Sequence, residues 1–227
     1  MTYCVGLLLD EGMVLLSDTR TNAGLDNIST YRKMFVFEEP GERVIAIMTA
    51  GSLSVTQTTI ARLHEAMDDP DATAATSVML APTMLKVADI VGNMLSAVSL
   101  EIDAKMARMD QSASATMIVA GQRRGGGMRM FLIYPEGNYI EATEDTPFLQ
   151  IGEHKYGKPI LDRVVTPSTS LADGQKAVGM PLDLLVIERD ALRAGLRRRF
   201  EAGDEGFRAM SEGWSRALRD GFTQIGL

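Results

Sequence analysis

Cysteine is almost absent from this sequence, and its scarcity excludes two kinds of site. Cys4 is the single cysteine in 227 residues, so neither an internal disulfide nor a cysteine-based zinc site can form. A chain that uses no disulfide fits a reducing compartment, and we expect a cytoplasmic protein. Cys4 stands in an apolar run, where a small core residue is expected rather than a reactive thiol.

Histidine is nearly as rare, which limits the available catalytic bases. A serine–histidine–aspartate triad would need either His64 or His154. His64 falls within a helical pattern, where a surface or packed role is expected, and His154 follows Gly152 and Glu153 in a loop. Neither has a metal-ligand spacing such as H-E-x-x-H, so the sequence predicts no metal and no cofactor.

Long hydrophobic runs and a basic excess are also missing. The apolar stretches stop well short of about 18 residues, so we expect no membrane span, and the N-terminus does not have the pattern of a secretory signal. The formal net charge is −7, which gives no indication of a nucleic-acid partner. With 227 residues and 45% hydrophobic content, we expect a single domain over 1–227.

The apolar pattern predicts strands at both ends of a helical pair. Turn signals at Asp10–Gly12 and Glu39–Glu42 separate the first predicted strands, which are Tyr3–Leu9, Met13–Ser17, Lys33–Glu38 and Arg43–Ala50. Later predicted strands are Ala115–Ala120, Met128–Tyr134, Asn138–Ala142, Phe148–Ile151 and Leu182–Glu188. Helices are predicted from Ser52 to about 68, at Ser77–Met109 with Pro82 in the first turn or at a kink, and at 154–163, 169–178 and 204–221. This grouping indicates two sheets covered by helices rather than an alternating parallel sheet.

Two further features have ordinary structural interpretations. The run Gly125–Gly127 lacks the Lys-Ser/Thr of a phosphate-binding loop, so a hairpin turn is expected. The four clustered arginines would suit an anion site, but a solvated helix face or an interface near Glu201, Asp204 and Glu205 is favoured; these arginines are Arg193, Arg197, Arg198 and Arg199.

The start of the chain carries the residues best suited to chemistry. Thr2 follows the initiator methionine, and a small second residue permits removal of Met1. The freed α-amino group would titrate near about 7.7–8.0 and act as a base beside its own hydroxyl. A predicted hairpin brings Asp18 back toward Thr2, and Lys33 begins the next strand. Lys33 would lower the pKa of the hydroxyl and Asp18 would hold the lysine, although a surface salt bridge explains the spacing equally well.

In combination these residues resemble a proteasome β-type subunit, and most closely the bacterial Anbu, or ancestral β-subunit, branch. The stretches that carry the resemblance are DTRTNAGLDNISTYRK (18–33), FLQIGEHKYGKPILDRVV (148–165) and GMPLDLLVIERD (179–190), together with Thr49-Ala50-Gly51 before a helix. The resemblance covers nearly the whole chain. It implies an α+β fold of the N-terminal-nucleophile hydrolases, a four-layer αββα sandwich of two stacked, mostly antiparallel sheets covered by helices.

The resemblance also implies residue roles. Thr2 matches the nucleophile, Asp18 and Lys33 match the pair that activates it, and Gly51 matches the glycine whose N–H helps form the oxyanion hole. Arg20 and Glu153 are expected to support the site. The residues expected near the specificity pocket are Thr21, Thr49 and Leu53.

Two departures from the family pattern bear on activity. Gly152-Glu153 stands where the family in general has a glycine and a serine, so Glu153 replaces that serine or the supporting network differs. The helix before the last core strand looks shortened by about four turns. Either a segment near Lys176–Val178 is missing from the sequence, or this variant lacks part of its catalytic support.

Three functions follow from these expectations. The first is a threonine-type peptidase or amidase. The second is a weakly active or inactive self-assembling subunit in peptide or amide metabolism, because the resemblance implies ring, open helical or lock-washer homo-oligomers and partners of the ATP-grasp and transglutaminase-like kinds. The third, amide synthesis or acyl transfer, would use the same acyl-enzyme, and the residues do not separate it from hydrolysis.

Overall fold

The computed structural model describes residues 2–22, 28–107, 113–153, 155, 157–178, 183–189 and 197–201. Its twelve strands are β1 Tyr3–Leu9, β2 Gly12–Ser17, β3 Arg20–Asn22, β4 Ile28–Thr30, β5 Met34–Glu39, β6 Arg43–Gly51, β7 Ala115–Arg123, β8 Arg129–Ile133, β9 Tyr139–Glu141, β10 Phe148–Gly152, β11 Asp183–Glu188 and β12 Arg197–Glu201. Its four helices are α1 Leu53–Asp68, α2 Met84–Met106, α3 Lys158–Val164 and α4 Leu171–Ala177.

The strands form two large antiparallel sheets and one small ribbon. The first sheet has the order β10-β1-β2-β11-β12, and the second has the order β5-β6-β7-β8-β9. The ribbon pairs β3 with β4. The first sheet therefore joins strands from both ends of the described chain, since β1 pairs with β10 and β2 pairs with β11.

Three separate apolar cores show the layering. One packs α1 and α2 on the second sheet, around Phe131 and Leu95. The next lies between the two sheets, around Met13, Leu15 and Met48. The last packs α3 and α4 on the first sheet, around Leu161 and other buried side chains. The expected four-layer αββα sandwich is confirmed.

The central strands are continuous apolar runs in the sequence because both of their faces are buried in the structure. In β2, Met13 and Leu15 point into the core between the sheets, while Val14 and Leu16 point toward α3 and α4. Successive side chains of a strand face opposite ways, so one apolar run supplies two cores. This alternation also aligns Thr2 with Cys4 on the face between the sheets.

The second helix begins later than the sequence predicted. Thr83 caps α2, since its side chain accepts a hydrogen bond from the Lys86 N–H at 3.1 Å. Pro82 therefore precedes the helix and neither opens its first turn nor kinks it. The predicted start at Ser77 is wrong because residues 69–83 form turns, in which threonine and aspartate side chains bond to nearby backbone instead of continuing a helix.

Three strands were not predicted. The ribbon strands β3 and β4 are short and polar, so they carry no apolar alternation. The third, β12, pairs with β11 along Arg197–Glu201. The helix-face interpretation of the arginine cluster is therefore wrong for Arg197–Arg199, while Arg193 and the predicted helix 204–221 lie outside the described residues.

Two other expectations agree with the structure, namely the turn after β7 and the short fourth helix. A turn joins β7 to β8, closed by a hydrogen bond from the Gly126 N–H to the Arg123 carbonyl, as the glycine run predicted. Helix α4 is only 7 residues long, as short as expected. Residues 179–182, which follow Val178, lie outside the described residues. Among the helices that the structure describes, none is long and apolar enough to span a membrane.

Candidate active site

A buried lysine and a partly buried aspartate form an ion pair at one end of the sandwich. Lys33 Nζ lies 2.6 Å from Asp18 Oδ2. Lys33 is 3% exposed, and it comes just before β5, where the Thr49 N–H donates to its carbonyl at 2.9 Å. The surface salt bridge considered from the spacing is therefore wrong, since the lysine is enclosed.

The backbone around Tyr3 fixes the other side of the aspartate. The Tyr3 N–H donates to Asp18 Oδ1 at 2.9 Å, and the Asp18 N–H donates to the Tyr3 carbonyl at 3.0 Å. Both carboxylate oxygens of Asp18 are thus engaged. Asp18, which accepts the hydrogen bond from Lys33, is therefore also bonded to Tyr3, the residue that follows Thr2.

Thr2 is fastened to the end of β10 on its other side. The Glu153 N–H donates to the Thr2 carbonyl at 2.7 Å. This approach requires a glycine at position 152, because its φ is +84° and a Cβ there would lie 2.0 Å from the Thr2 carbonyl oxygen. Sequence reasoning placed Glu153 at the site through its side chain, whereas its hydrogen bond to Thr2 comes from its backbone. The Glu153 carboxylate lies 3.8 Å from Lys155 Nζ.

A cavity of about 390 Å³ opens beside these residues. Thr2, Lys33, Thr49, Gly51 and Leu53 all line it. The structure therefore brings together most of the residues singled out from the sequence. Asp18 stands behind Lys33, and Arg20 and Thr21 lie in β3, whose side chains are outside the structural description.

The cavity continues along α1 as a groove, which sequence reasoning missed. The α1 residues that line it are Leu53, Thr56, Gln57, Ile60, Ala61 and His64. Most of them recur at three- and four-residue steps on one helix face, and that spacing was the available signal. His64, interpreted from the sequence as a surface or packed residue, is an exposed groove residue 5.0 Å from the Phe37 ring.

Residues at the entry to β5 also line this cavity. Tyr31, Arg32 and Phe35 line it, and none of them was expected there. Apolar walls with a few polar groups are typical of small-molecule and side-chain pockets.

Gly51 ends β6 in a conformation that suits glycine. Its φ is +110°, and a Cβ there would lie 2.4 Å from the Ser114 carbonyl oxygen. The next residue ties the loop down, since the Ser52 N–H donates to the same carbonyl at 2.9 Å. A close backbone approach therefore fixes the position of Gly51 in the lining of the cavity.

Cys4 lies two residues from Thr2, in the core between the sheets. Burial raises the pKa of the Cys4 thiol far above its usual range, and its Sγ lies 3.7 Å from the Thr49 carbonyl. The thiolate is the reactive form of cysteine, so the expected core role of Cys4 is confirmed. Among the described residues, no group of three or more histidine, cysteine, aspartate or glutamate side chains is arranged to hold a metal ion.

Comparison with known proteins places this geometry in a family. Neither a family model nor a curated protein matches the chain. Among solved structures, an Anbu mutant from Hyphomicrobium sp. strain MC1 is 41% identical, with a TM-score of 0.81 over 98% of this chain and 97% of that one. Anbu, the ancestral beta-subunit, from Yersinia bercovieri is 36% identical, with a TM-score of 0.82 over 98% and 96%.

A third structure is described as the helical assembly of the Anbu complex from Pseudomonas aeruginosa. It is 38% identical, with a TM-score of 0.83 over 98% of this chain and 96% of that one. Identity at this level over almost the full length of both chains shows common descent as well as a common fold. The chain belongs to the Anbu (ancestral beta-subunit) family of proteasome-like proteins.

Proposed function

We propose that this protein is a threonine-type N-terminal-nucleophile hydrolase that cleaves a peptide or another amide with Thr2. One observation carries the proposal: Thr2, Lys33 and Gly51 line the same cavity, and Asp18 holds the lysine at 2.6 Å. A nucleophile, a cation and a backbone donor at one cavity are the parts that acyl transfer needs.

The first half of the reaction forms an ester. After removal of Met1, the α-amino group of Thr2 takes the proton of its own hydroxyl, and Oγ attacks the amide carbonyl carbon. The resulting oxyanion accepts a hydrogen bond from the Gly51 N–H, a donor of a kind whose removal typically costs about 2.7–4 kcal/mol. The C–N bond then breaks, and the leaving amine takes the proton from the ammonium group of Thr2.

The second half regenerates the enzyme. Water attacks the ester carbonyl while the α-amino group accepts a proton, and the carboxylic acid leaves as Oγ is reprotonated. Lys33 assists both halves because its positive charge stabilises negative charge that develops on Oγ. Asp18 fixes the ammonium group in place through its contacts with Lys33 and with the Tyr3 N–H. An amine in place of water would give acyl transfer instead.

The substrate's side chain would occupy the cavity beside Thr2. Thr49, Leu53, Ile60 and Phe35 line this cavity together with Thr2. We propose Thr21, on β3, as a further contact, and Arg20 and Glu153 as supporting residues. The apolar character of these walls favours a large apolar side chain over a charged one.

We also propose that the chain acts as a homo-oligomer in the cytoplasm. A relative assembles helically, and several large apolar side chains of this chain are exposed, among them Leu80, Leu100 and Ile160 at 51%, 69% and 52%. These exposed side chains also favour the second candidate, a self-assembling subunit with little turnover. Partners of the ATP-grasp and transglutaminase-like kinds stay a prediction.

An intact-mass experiment tests the proposal. The purified protein is weighed to check that Met1 has been removed, incubated with a peptide vinyl sulfone carrying a large apolar side chain, and weighed again. We expect one probe adduct on the wild type and on Thr58→Ala, an α1 threonine that does not line the cavity, and none on Thr2→Ala. Labelling that persists in Thr2→Ala would refute the nucleophile, and a processed wild type that takes no probe would favour the assembly subunit.

A further inference from the structure

Tyr3, the residue after Thr2, carries its side chain on the outer face of the first sheet. The Tyr3 ring packs against the core that this sheet forms with α3 and α4, whereas Cys4 belongs to the core between the sheets. Successive side chains of a strand face opposite ways, so the Tyr3 side chain points away from the face that Thr2 and Cys4 share. Tyr3 therefore connects the outer helical layer with the start of the chain.

Two neighbours surround the Tyr3 hydroxyl group. Gln150 Nε2, on β10, donates a hydrogen bond to it at 3.0 Å. Gly157, the N-cap of α3, comes so close that a Cβ added there would lie 2.2 Å from the hydroxyl oxygen and 2.9 Å from Tyr3 Cζ. A residue larger than glycine therefore fits at position 157 only if Tyr3 or α3 moves.

The start of α3 is itself fixed in place. The N–H groups of Ile160 and Leu161 donate to the Gly157 carbonyl at 3.1 and 3.0 Å. The Leu161 side chain is 0% exposed and belongs to the outer core. The hydroxyl group of Tyr3 thus packs against backbone that cannot yield by a side-chain rotation.

The backbone of Tyr3 holds the Asp18–Lys33 ion pair. The Tyr3 N–H donates to Asp18 Oδ1 at 2.9 Å, the Asp18 N–H donates to the Tyr3 carbonyl at 3.0 Å, and Asp18 Oδ2 accepts from Lys33. The Cα atoms of Thr2 and Tyr3 are joined by a planar peptide and lie about 3.8 Å apart. A displacement of Tyr3 therefore displaces both Thr2 and Asp18.

We propose that Tyr3 is a positioning residue, whose side chain, seated between Gln150 and Gly157, sets where Thr2 and Asp18 lie in the candidate active site. This inference rests on the proposed function of Thr2. Tyr3 acts through its backbone, and its side chain lies on the other face of the sheet from the cavity. The sequence indicated Tyr3 only as the first residue of an apolar strand.

Gly157→Ala tests this role from the side of α3. The φ and ψ of Gly157 are −76° and −44°, which alanine also adopts, so the added Cβ is the only perturbation. Its contact with the Tyr3 hydroxyl must lengthen by roughly 1 Å to become an ordinary van der Waals contact. Misplacement by about 1 Å can cost about a hundredfold in rate. We expect the limiting rate of probe labelling to fall about ten- to a hundredfold, with an unchanged half-saturating probe concentration.

Tyr3→Phe combined with Gly157→Ala provides a rescue. The phenylalanine lacks the oxygen that the Cβ would meet at 2.2 Å, and the remaining contact with Cζ, at 2.9 Å, requires a smaller shift. The double variant should therefore recover most of the rate of Tyr3→Phe alone, which is its reference. A loss of stability without a positioning role would give no such recovery in the limiting rate.

Gly174→Ala, on α4, is the matched control for crowding of the outer core. A Cβ there would lie 2.9 Å from Leu9 Cδ1 and 3.3 Å from Leu7 Cδ1. Both leucines belong to the same core and the same strand as Tyr3, but they lie at least five residues from Thr2 along the chain. We expect Gly174→Ala to leave the limiting rate and the half-saturating concentration unchanged.

The experiment measures the limiting labelling rate and the half-saturating concentration of the peptide vinyl sulfone in the wild type and these four variants. It also records amide spectra of protein labelled with ¹⁵N-tyrosine, in which at most five signals are expected. The Tyr3 signal is the one that Tyr3→Phe removes, and its position reports the hydrogen bond from the Tyr3 N–H to Asp18.

A displaced Tyr3 signal in Gly157→Ala, with no displacement in Gly174→Ala, supports the proposal even if the wild type takes no probe, a result that would count against the proposed function alone. An unmoved Tyr3 signal in Gly157→Ala would overturn the positioning role. When the wild type is labelled and Thr2→Ala is not, equal limiting rates in Gly157→Ala and Gly174→Ala would also overturn it, as would a double variant as slow as Gly157→Ala.

Discussion

Gly152→Ala tests how Thr2 is fastened to the fold. The substitution adds a Cβ that would lie 2.0 Å from the Thr2 carbonyl oxygen, and both the oxygen and the glycine belong to backbone that pairs β1 with β10. No side-chain rotation relieves such a contact. The start of β1 must therefore move away from β10, which breaks the hydrogen bond from the Glu153 N–H to Thr2.

The expected loss of stability has two parts. An alanine at φ +84° costs about 1–2 kcal/mol because of its left-handed backbone conformation. Loss of the hydrogen bond from Glu153 adds about 0.5–1.5 kcal/mol. The free energy of unfolding should fall by about 1.5–3.5 kcal/mol, which lowers the melting temperature by roughly 3–14 °C in a chain of this size.

Gly125→Ala supplies the control for backbone conformation. Gly125 has a φ of +75°, but a Cβ there would meet nothing within 4 Å. It should therefore show only the conformational cost of about 1–2 kcal/mol. Both variants are compared with the wild type by thermal unfolding at one protein concentration, and by probe labelling. We expect a larger melting shift and a loss of labelling in Gly152→Ala alone; equal shifts and equal labelling in the two variants would refute the reasoning.

Three further predictions concern the rest of the molecule. Phe131→Ala, at a fully buried position, should lower the free energy of unfolding by about 3–5 kcal/mol. Ile140→Ala, at a site 47% exposed, should change the free energy of unfolding by no more than about 0.5 kcal/mol. Chemical denaturation measures both changes. Hydrogen bonds from Lys105 and Arg62 lower the pKa of Glu101 from 4.5 to about 2. The contribution of Glu101 to stability is therefore present above pH 4.5 and is lost as the pH falls toward 2. Carbon NMR should show that the pKa of Glu101 is higher in Arg62→Ala, and higher in high salt, than in the wild type at low salt. Cys4, whose thiol pKa is raised by burial, should react with Ellman's reagent only as fast as the protein unfolds, and fast reaction in the native protein would contradict its placement.

The strands with strong turn signals were predicted closely from the sequence. β1 has the bounds that the apolar run predicted, and β6 extends the predicted strand by one residue to Gly51. These strands are buried on both faces and end at Asp, Glu, Pro and Gly residues, so hydrophobicity and turn chemistry agree. Where local signals were weak or conflicting, as in the polar β3 and the arginine-rich β12, pairing with a neighbouring strand decided the structure.

The candidate site was predictable in part for a different reason. Asp18 and Lys33 were found because they flank strands near Thr2 and match a family pattern. The bond from Glu153 to Thr2 depends on the pairing of β1 with β10. These partners are far apart along the chain, and no local pattern indicates which strands will meet.

The pairing of β1 with β10 also determines when, during synthesis, the surroundings of Thr2 can form. Tyr3 pairs with Gly152, so this pairing cannot form until residue 152 has been synthesised. A ribosome that adds about 5–20 residues per second needs roughly 7–30 s to reach that residue. Through that interval the first hairpin is present while its flanking strands are still unmade. A nascent chain therefore carries Thr2 for this whole interval without the end of β10, and the backbone contacts that hold Thr2 form only after residue 153 has been made.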